Sequence, residues 1–204
     1  MDFYTNVCRT RDKILVKGYQ GKKQVQMSVD YRPNHYVPTK KPSAFKSLDG
    51  KNLEAVNLSS MGGARKFREQ YNQVDGFEIH GYDKYIYTYI ADKFKGDVKY
   101  DPRKIKVATL DIECESENGF PEPTLAEEKV NAITIKPFRH NAHTFGIGPW
   151  DDCPANVIYH ECKNEAFLIE SFIKYWRKES FDVISCWNVD AFDMTYLCNR
   201  VDKL

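Results

Sequence analysis

Ile105-Lys106-Val107-Ala108-Thr109-Leu110-Asp111-Ile112-Glu113 is an apolar, β-branched run that closes on two carboxylates. Read as a strand, its alternate side chains share a face, so Asp111 and Glu113 point the same way. A strand of this composition is expected inside a sheet buried on both faces. Two carboxylates at the end of such a strand are costly unless something positive meets them. No lysine or arginine falls at the spacing that would put it on their face. Hard oxygen donors suit Mg²⁺ or Mn²⁺, so a divalent cation is one reading. A solvated strand end with two exposed acids is the other.

A second stretch bears on that choice. Asp182-Val183-Ile184-Ser185-Cys186-Trp187-Asn188-Val189-Asp190-Ala191-Phe192-Asp193 reads as a short strand, a polar turn and a helix start. Asp193 then falls in the first helical turn, where free amides and the helix dipole favour a carboxylate. Three acids on neighbouring elements suit a two-metal site.

With both stretches quoted, a resemblance can be stated. Asp111-Ile112-Glu113 resembles the first exonuclease motif of the family B DNA polymerases. Asn188 to Asp193 resembles the second, an Asn, three residues, then Phe-Asp. Between them, Gly119-Phe120-Pro121-Glu122-Pro123 and Asn131-Ala132-Ile133-Thr134 are similar to the loop and strand of the T-even-type phage branch. Tyr196-Leu197-Cys198-Asn199-Arg200-Val201 continues the likeness.

The resemblance implies an α+β N-terminal domain over residues 1–103. An incomplete α/β ribonuclease-H-like 3′–5′ exonuclease domain then follows over residues 104–204. It implies Asp111, Glu113 and Asp193 as catalytic ligands of two Mg²⁺ or Mn²⁺ ions, with Asp111 bridging. Asn188 would contact the single strand. Phe120 would wedge against the terminal bases, where one stacking contact is worth about 1–3 kcal/mol. A hydrophobic plug for Phe120 and a turn cap for Asn188 are the plainer readings. The implied partner is DNA, as a single-stranded 3′ end and a primer-template. The implied parent is a replicative DNA-directed DNA polymerase.

The family's third motif, a Tyr, three residues, then Asp, is expected well beyond Leu204. So are the palm, fingers and thumb. The expectation is therefore an N-terminal piece: a truncated chain, an incomplete reading frame, or the first half of a split polymerase whose C-terminal half is its partner. Such a piece should have no polymerase activity and negligible nuclease activity. Two alternatives stand beside it. One is a catalytically inert nucleic-acid-binding or polymerase-partner subunit. The other is a self-sufficient nuclease drawing a further acid from Asp151 or Asp152, on a Pro-flanked loop that is a poor ligand platform.

The composition is compatible with these readings. Hydrophobic residues make up 42% of the chain and aromatics 14%, enough for a packed core and against disorder. A net charge of +1 gives no global basic field, so nucleic-acid contact must come from local patches or metal. The six cysteines include no C-x-x-C pair, which argues for reduced thiols and a cytoplasmic setting, that of the bacterial host if the source is a phage. No apolar run is long enough to span a bilayer.

Along the chain, Phe3 to Cys8, Lys13 to Tyr19 and Val25 to Tyr31 read as a β meander. Ala44 to Leu48 and Leu53 to Leu58 are expected to pair across Asp49-Gly50. Ser59 or Ser60 caps a helix reaching about Gln73. Phe77 to His80 reads as a strand, and Asp83 as the cap of a helix with Ile86, Ile90 and Phe94 on its inner face. The tyrosines at 82, 85, 87 and 89 are read as packing residues before base-stacking ones. After Pro102 come strands at 105–113, 130–138, 143–147 and 157–160. A helix capped by Asn164 then buries Leu168, Ile169, Phe172, Ile173 and Trp176. Trp187 is expected to fill core space and Phe192 to pack inward. His140 and His143, beside Arg139 on loop-like sequence, are read as structural before metal-binding.

Overall fold

The computed structural model describes residues 1–117 and 119–204, which fall into two units, Met1–Asp101 and Pro102–Leu204. In the first unit, β1 (Phe3–Thr10), β2 (Lys13–Gln20) and β3 (Lys23–Asp30) form an antiparallel meander in that order. Its two tight corners place Arg11 and Gly21 at positive φ, as short hairpins of this hand require. Gly18 is dictated by close approach, because a Cβ there would lie 2.2 Å from the Phe3 carbonyl oxygen. A second sheet has the order β4-β6-β5, from β4 (His35–Pro38), β5 (Phe45–Lys46) and β6 (Asn52–Val56). The hairpin expected across Asp49-Gly50 is present, with Phe45 opposite Leu53.

The helix α1 (Met61–Tyr71) starts at Ser60, whose side chain accepts the Gly63 N–H. It satisfies one of the donors that a helix start leaves open. A second helix, α2 (Tyr85–Lys93), departs from expectation. Its N-cap is Lys84 with no side-chain cap bond, not Asp83. Tyr85 and Tyr89 are its buried residues, packed with Ile14, Val16, Tyr31, Met61 and Ala64, while Ile86 is only partly buried. The large rings win the inner stripe because Tyr31 stands edge-on to Tyr89 and His35 edge-on to Tyr85. The strand expected over 77–80 reduces to a single bridge between His80 and Tyr36.

In the second unit a five-stranded sheet has the order β10-β9-β8-β7-β11. Its strands are β7 (Val107–Cys114), β8 (Val130–Pro137), β9 (Ala142–Ile147), β10 (Val157–Cys162) and β11 (Val183–Ser185). β7, β8 and β9 are antiparallel neighbours; β10 runs parallel to β9, and β11 parallel to β7. The helices are α3 (Glu165–Glu179) and α4 (Asp193–Val201). Asn164 caps α3 by accepting the Phe167 N–H, and Ser180 ends it in the left-handed region.

Leu110, Ile133, Ile135 and Phe145 of the sheet close a core with Leu168, Ile169 and Phe172 of α3 and Tyr196 and Leu197 of α4. Fully burying one such side chain stabilises by about 1.5–3 kcal/mol. The central strand β7 is not buried on both faces, which corrects the expectation. Ala108, Leu110 and Ile112 face the core, whereas Thr109, Asp111 and Glu113 are exposed. Trp187 is corrected too. β11 ends at Ser185, and two residues later the indole is fully exposed. Among the described residues no helix is long and apolar enough to cross a membrane.

Candidate active site

The exposed face of β7 carries Asp111 and Glu113, as strand alternation requires. Asp111 stands opposite Thr134 of β8, and the ladder slips by one position between Glu113 and Cys114. Asp193 approaches from a different element. It is a buried carboxylate in the first turn of α4, where amides without intrahelical acceptors favour negative charge. Its Oδ2 accepts the Cys186 thiol at 2.8 Å.

Asp193 acts on Asp111. Burial, and next the charge of Asp193, hold the Asp111 carboxyl above the usual carboxylate range. Burial, the bond to Asp193 and the charges of both acids likewise push the Cys186 thiol up, so it stays a protonated donor. Cys186 is a participant that the sequence reading did not single out. Its only signal was its position between a strand end and a helix start.

Glu113 shares the face of Asp111 but is not drawn into this pair. Among the described residues no three His, Cys, Asp or Glu side chains are gathered closely enough to ligate one ion. The donor chemistry of the pair still fits a divalent cation. A carboxylate held up by a neighbouring acid's charge offers hard oxygens to a cation that would relieve it. Asp111 and Asp193 would be its first ligands, with Glu113 nearest at hand on the strand.

Phe120 is 85% exposed, and its ring lies 5.1 Å from that of Phe192, which in turn stacks 5.5 Å from Tyr196. The plug reading fails for Phe120, because only one side of the ring is covered. Phe192 packs against the core as expected. Asn188 is exposed; its carbonyl accepts the Phe192 N–H at 2.8 Å, and its amide side chain has no hydrogen bond among the described residues. The turn is therefore held by the Asn188 backbone, and its side chain stands available.

The chain that follows Phe120 is fastened to α4. Arg200 Nη1 donates to the carbonyls of Ala126 and Glu127, Tyr196 Oη to that of Glu128, and Asn199 Nδ2 to that of Pro123. Ala126, fully buried at positive φ, is the strained pivot of this segment. Arg200 also meets the buried Glu165 of α3 through two bonds of 2.7 Å, and Glu165 accepts the Val130 N–H at 2.8 Å. One helix thus carries a candidate ligand at its start and grips the aromatic loop along its length.

The two histidines weighed as ligands separate. His143 Nδ1 lies 3.0 Å from His160 Nε2 across β9 and β10, whereas His140 turns away and accepts Lys136 through its carbonyl. Asp151 and Asp152 lie in an exposed turn.

Comparison with known proteins identifies the family. The family model for the exonuclease domain of DNA polymerase family B matches residues 79–204. The DNA-directed DNA polymerase of Escherichia phage RB69 is 26% identical over 233 residues, covering all of this chain and 26% of that protein. That of Enterobacteria phage T4 is also 26% identical, over 231 residues, covering all of this chain and 25% of that protein. The DNA polymerase catalytic subunit of Human herpesvirus 6B (strain Z29) is 33% identical over 102 residues, 47% of this chain and 10% of that protein. The chain spans about a quarter of the length of the phage relatives.

Proposed function

Because the chain belongs to the DNA polymerase family B exonuclease-domain family, we propose that it carries part of a two-metal 3′–5′ proofreading site of a replicative DNA-directed DNA polymerase. The observation that carries the reading is the electrostatic influence of the buried Asp193 of α4 on Asp111 of β7. Asp111, Glu113 and Asp193 would hold Mg²⁺ or Mn²⁺. When bound, such ions activate a water and stabilise the leaving 3′ oxygen. Residues 1–103 form the N-terminal domain and residues 104–204 the first part of a ribonuclease-H-like exonuclease domain. The sheet order, with β7, β8 and β9 antiparallel and β11 parallel to β7, supports that assignment.

The substrate is the single-stranded 3′ end of DNA, in the host cytoplasm. The exposed ring of Phe120, backed by Phe192, stacks on a terminal base. The unpaired amide of Asn188 hydrogen-bonds the strand beside the acids.

Titration of the chain with Mn²⁺, followed by electron paramagnetic resonance, tests the reading. Saturable binding that is lost in both Asp111→Asn and Asp193→Asn is the expected result. The chain alone is expected to trim a labelled single strand barely faster than its Asp111→Ala variant, because among the described residues no three acids gather at one point. No saturable Mn²⁺ binding, or binding indifferent to both substitutions, would overturn the assignment.

A further inference from the structure

A cavity of about 480 Å³ opens in the first unit. Arg9 of β1 and Arg65 and Arg68 of α1 line it, and Tyr85, buried at the head of α2, forms part of its wall. Helical spacing explains two of the three cations: positions 65 and 68 are three apart and so share one side of α1. The meander brings Arg9 to the same place from a distant part of the sequence.

Neutralisation is incomplete. Glu69 and Asp83 also line the cavity, which leaves three guanidinium charges against two carboxylates. Among the described residues neither the Arg9 nor the Arg65 side chain forms an ion pair or hydrogen bond, and the Arg68 guanidinium donates only to the Gly81 carbonyl, at 3.2 Å. The three charges share one cavity wall with Tyr85. Each acts at the Tyr85 hydroxyl, where all three oppose the upward push of burial and of Asp83. That hydroxyl lies 3.4 Å from Nε2 of the buried His35. Arginines with unused donors, around an opening wide enough for a tetrahedral oxoanion, are what planar guanidinium forks recognise best.

We propose that this cavity binds a phosphoryl group, borne by a free nucleotide or by the backbone of a nucleic-acid strand. Arg9 and Arg65 supply the paired donors. Arg68, fixed by Gly81, supplies a steady charge at the back of the cavity. Glu69 and Asp83 keep the affinity moderate and favour a ligand whose remaining groups can accept or donate at its rim.

The test follows the arginine Nε–Hε resonances of the full chain by ¹H–¹⁵N NMR. Sodium phosphate, thymidine monophosphate and an oligothymidylate are titrated in turn at fixed ionic strength, with chloride as the reference anion. Arg9 and Arg65 should shift and saturate with the phosphoryl ligands and not with chloride. Arg9→Gln combined with Arg65→Gln should weaken binding by about tenfold or more, since hydrogen bonds to charged groups are the strong ones. Asp111→Asn should leave it unchanged, which separates this site from the proofreading reading. Tighter binding of the monophosphate identifies a nucleotide site, and tighter binding of the oligomer identifies a strand-backbone site. Should the double variant not fold, Arg9→Gln alone decides. Shifts that fail to saturate, that chloride reproduces, or that persist in the variants overturn the proposal.

Discussion

Arg200 and Glu165 lie side by side at 2.7 Å through two parallel bonds, and both are nearly withdrawn from water. A planar fork on a carboxylate is the strongest arrangement such a pair can adopt. Breaking a buried pair by removing one partner leaves the other uncompensated. Arg200→Ala should therefore cost about 3–5 kcal/mol in urea unfolding. Glu165 also feels opposing influences: burial raises its pKa, but the Arg200 bonds, the Val130 N–H and nearby positive charge win and lower it. The ionised form thus contributes stability above the ordinary glutamate range, and that contribution is lost as pH falls through the lowered folded value. The acid limb below about pH 4.5 should flatten in Arg200→Ala. An unchanged limb would show that the pair does not govern it.

Asp111 titrates in the opposite sense. Burial, then Asp193, raise its pKa, so the folded chain holds this proton to higher pH than the unfolded chain does. Stability falls as pH rises through that interval and stays lower above it. Asp111→Asn removes the penalty. In EDTA at neutral pH its Tm should exceed that of the natural chain. Mn²⁺ should then raise the natural chain's Tm and leave the variant's nearly still. A variant less stable in EDTA would contradict the repulsion.

The pair His143 and His160 gives a third window. Burial lowers both pKa values, and the neighbouring ring lowers that of His143 further. Both rings are kept neutral, so their contribution is present above the ordinary histidine value near 6.5 and is lost as pH falls below it. Phe145 stacks on His160 at 4.4 Å, a contact that His160→Phe preserves. That variant should lose less Tm between pH 7 and 5 than the natural chain, because only the His143 share remains. Parallel declines in the two proteins would refute the assignment.

Phe120 contributes little to folding because its ring is largely exposed. Phe120→Ala should change unfolding free energy by no more than about 0.5 kcal/mol. Affinity for a single-stranded oligonucleotide, followed by fluorescence anisotropy, should fall by about 1–3 kcal/mol. Equal affinities would remove the stacking role.

Much of the second unit was legible because local signals agreed with one another. The alternation of Ala108, Leu110 and Ile112 with Thr109, Asp111 and Glu113 fixed which side of β7 carries the acids. Ser60 and Asn164 announced their helices through one hydrogen bond each. The expectation failed where partners are distant. Glu165 sits in a first turn, where an acid needs no further explanation, and nothing local links it to Arg200. Trp187 looked like a core residue by type alone, yet the strand before it stops short and leaves the indole outside. On α2, periodicity offered both the isoleucines and the tyrosines, and packing against Tyr31 and His35 chose the tyrosines. Cys186 was invisible for a similar reason, since its bond to Asp193 exists only once the turn is closed.

The outward position of Trp187 makes it an optical reporter. Its indole is bathed in solvent, one residue from the thiol that occupies Asp193 and one from the free amide of Asn188. Its emission should therefore be red-shifted. A cation or strand arriving beside it should change that emission before any other spectral property of the protein responds.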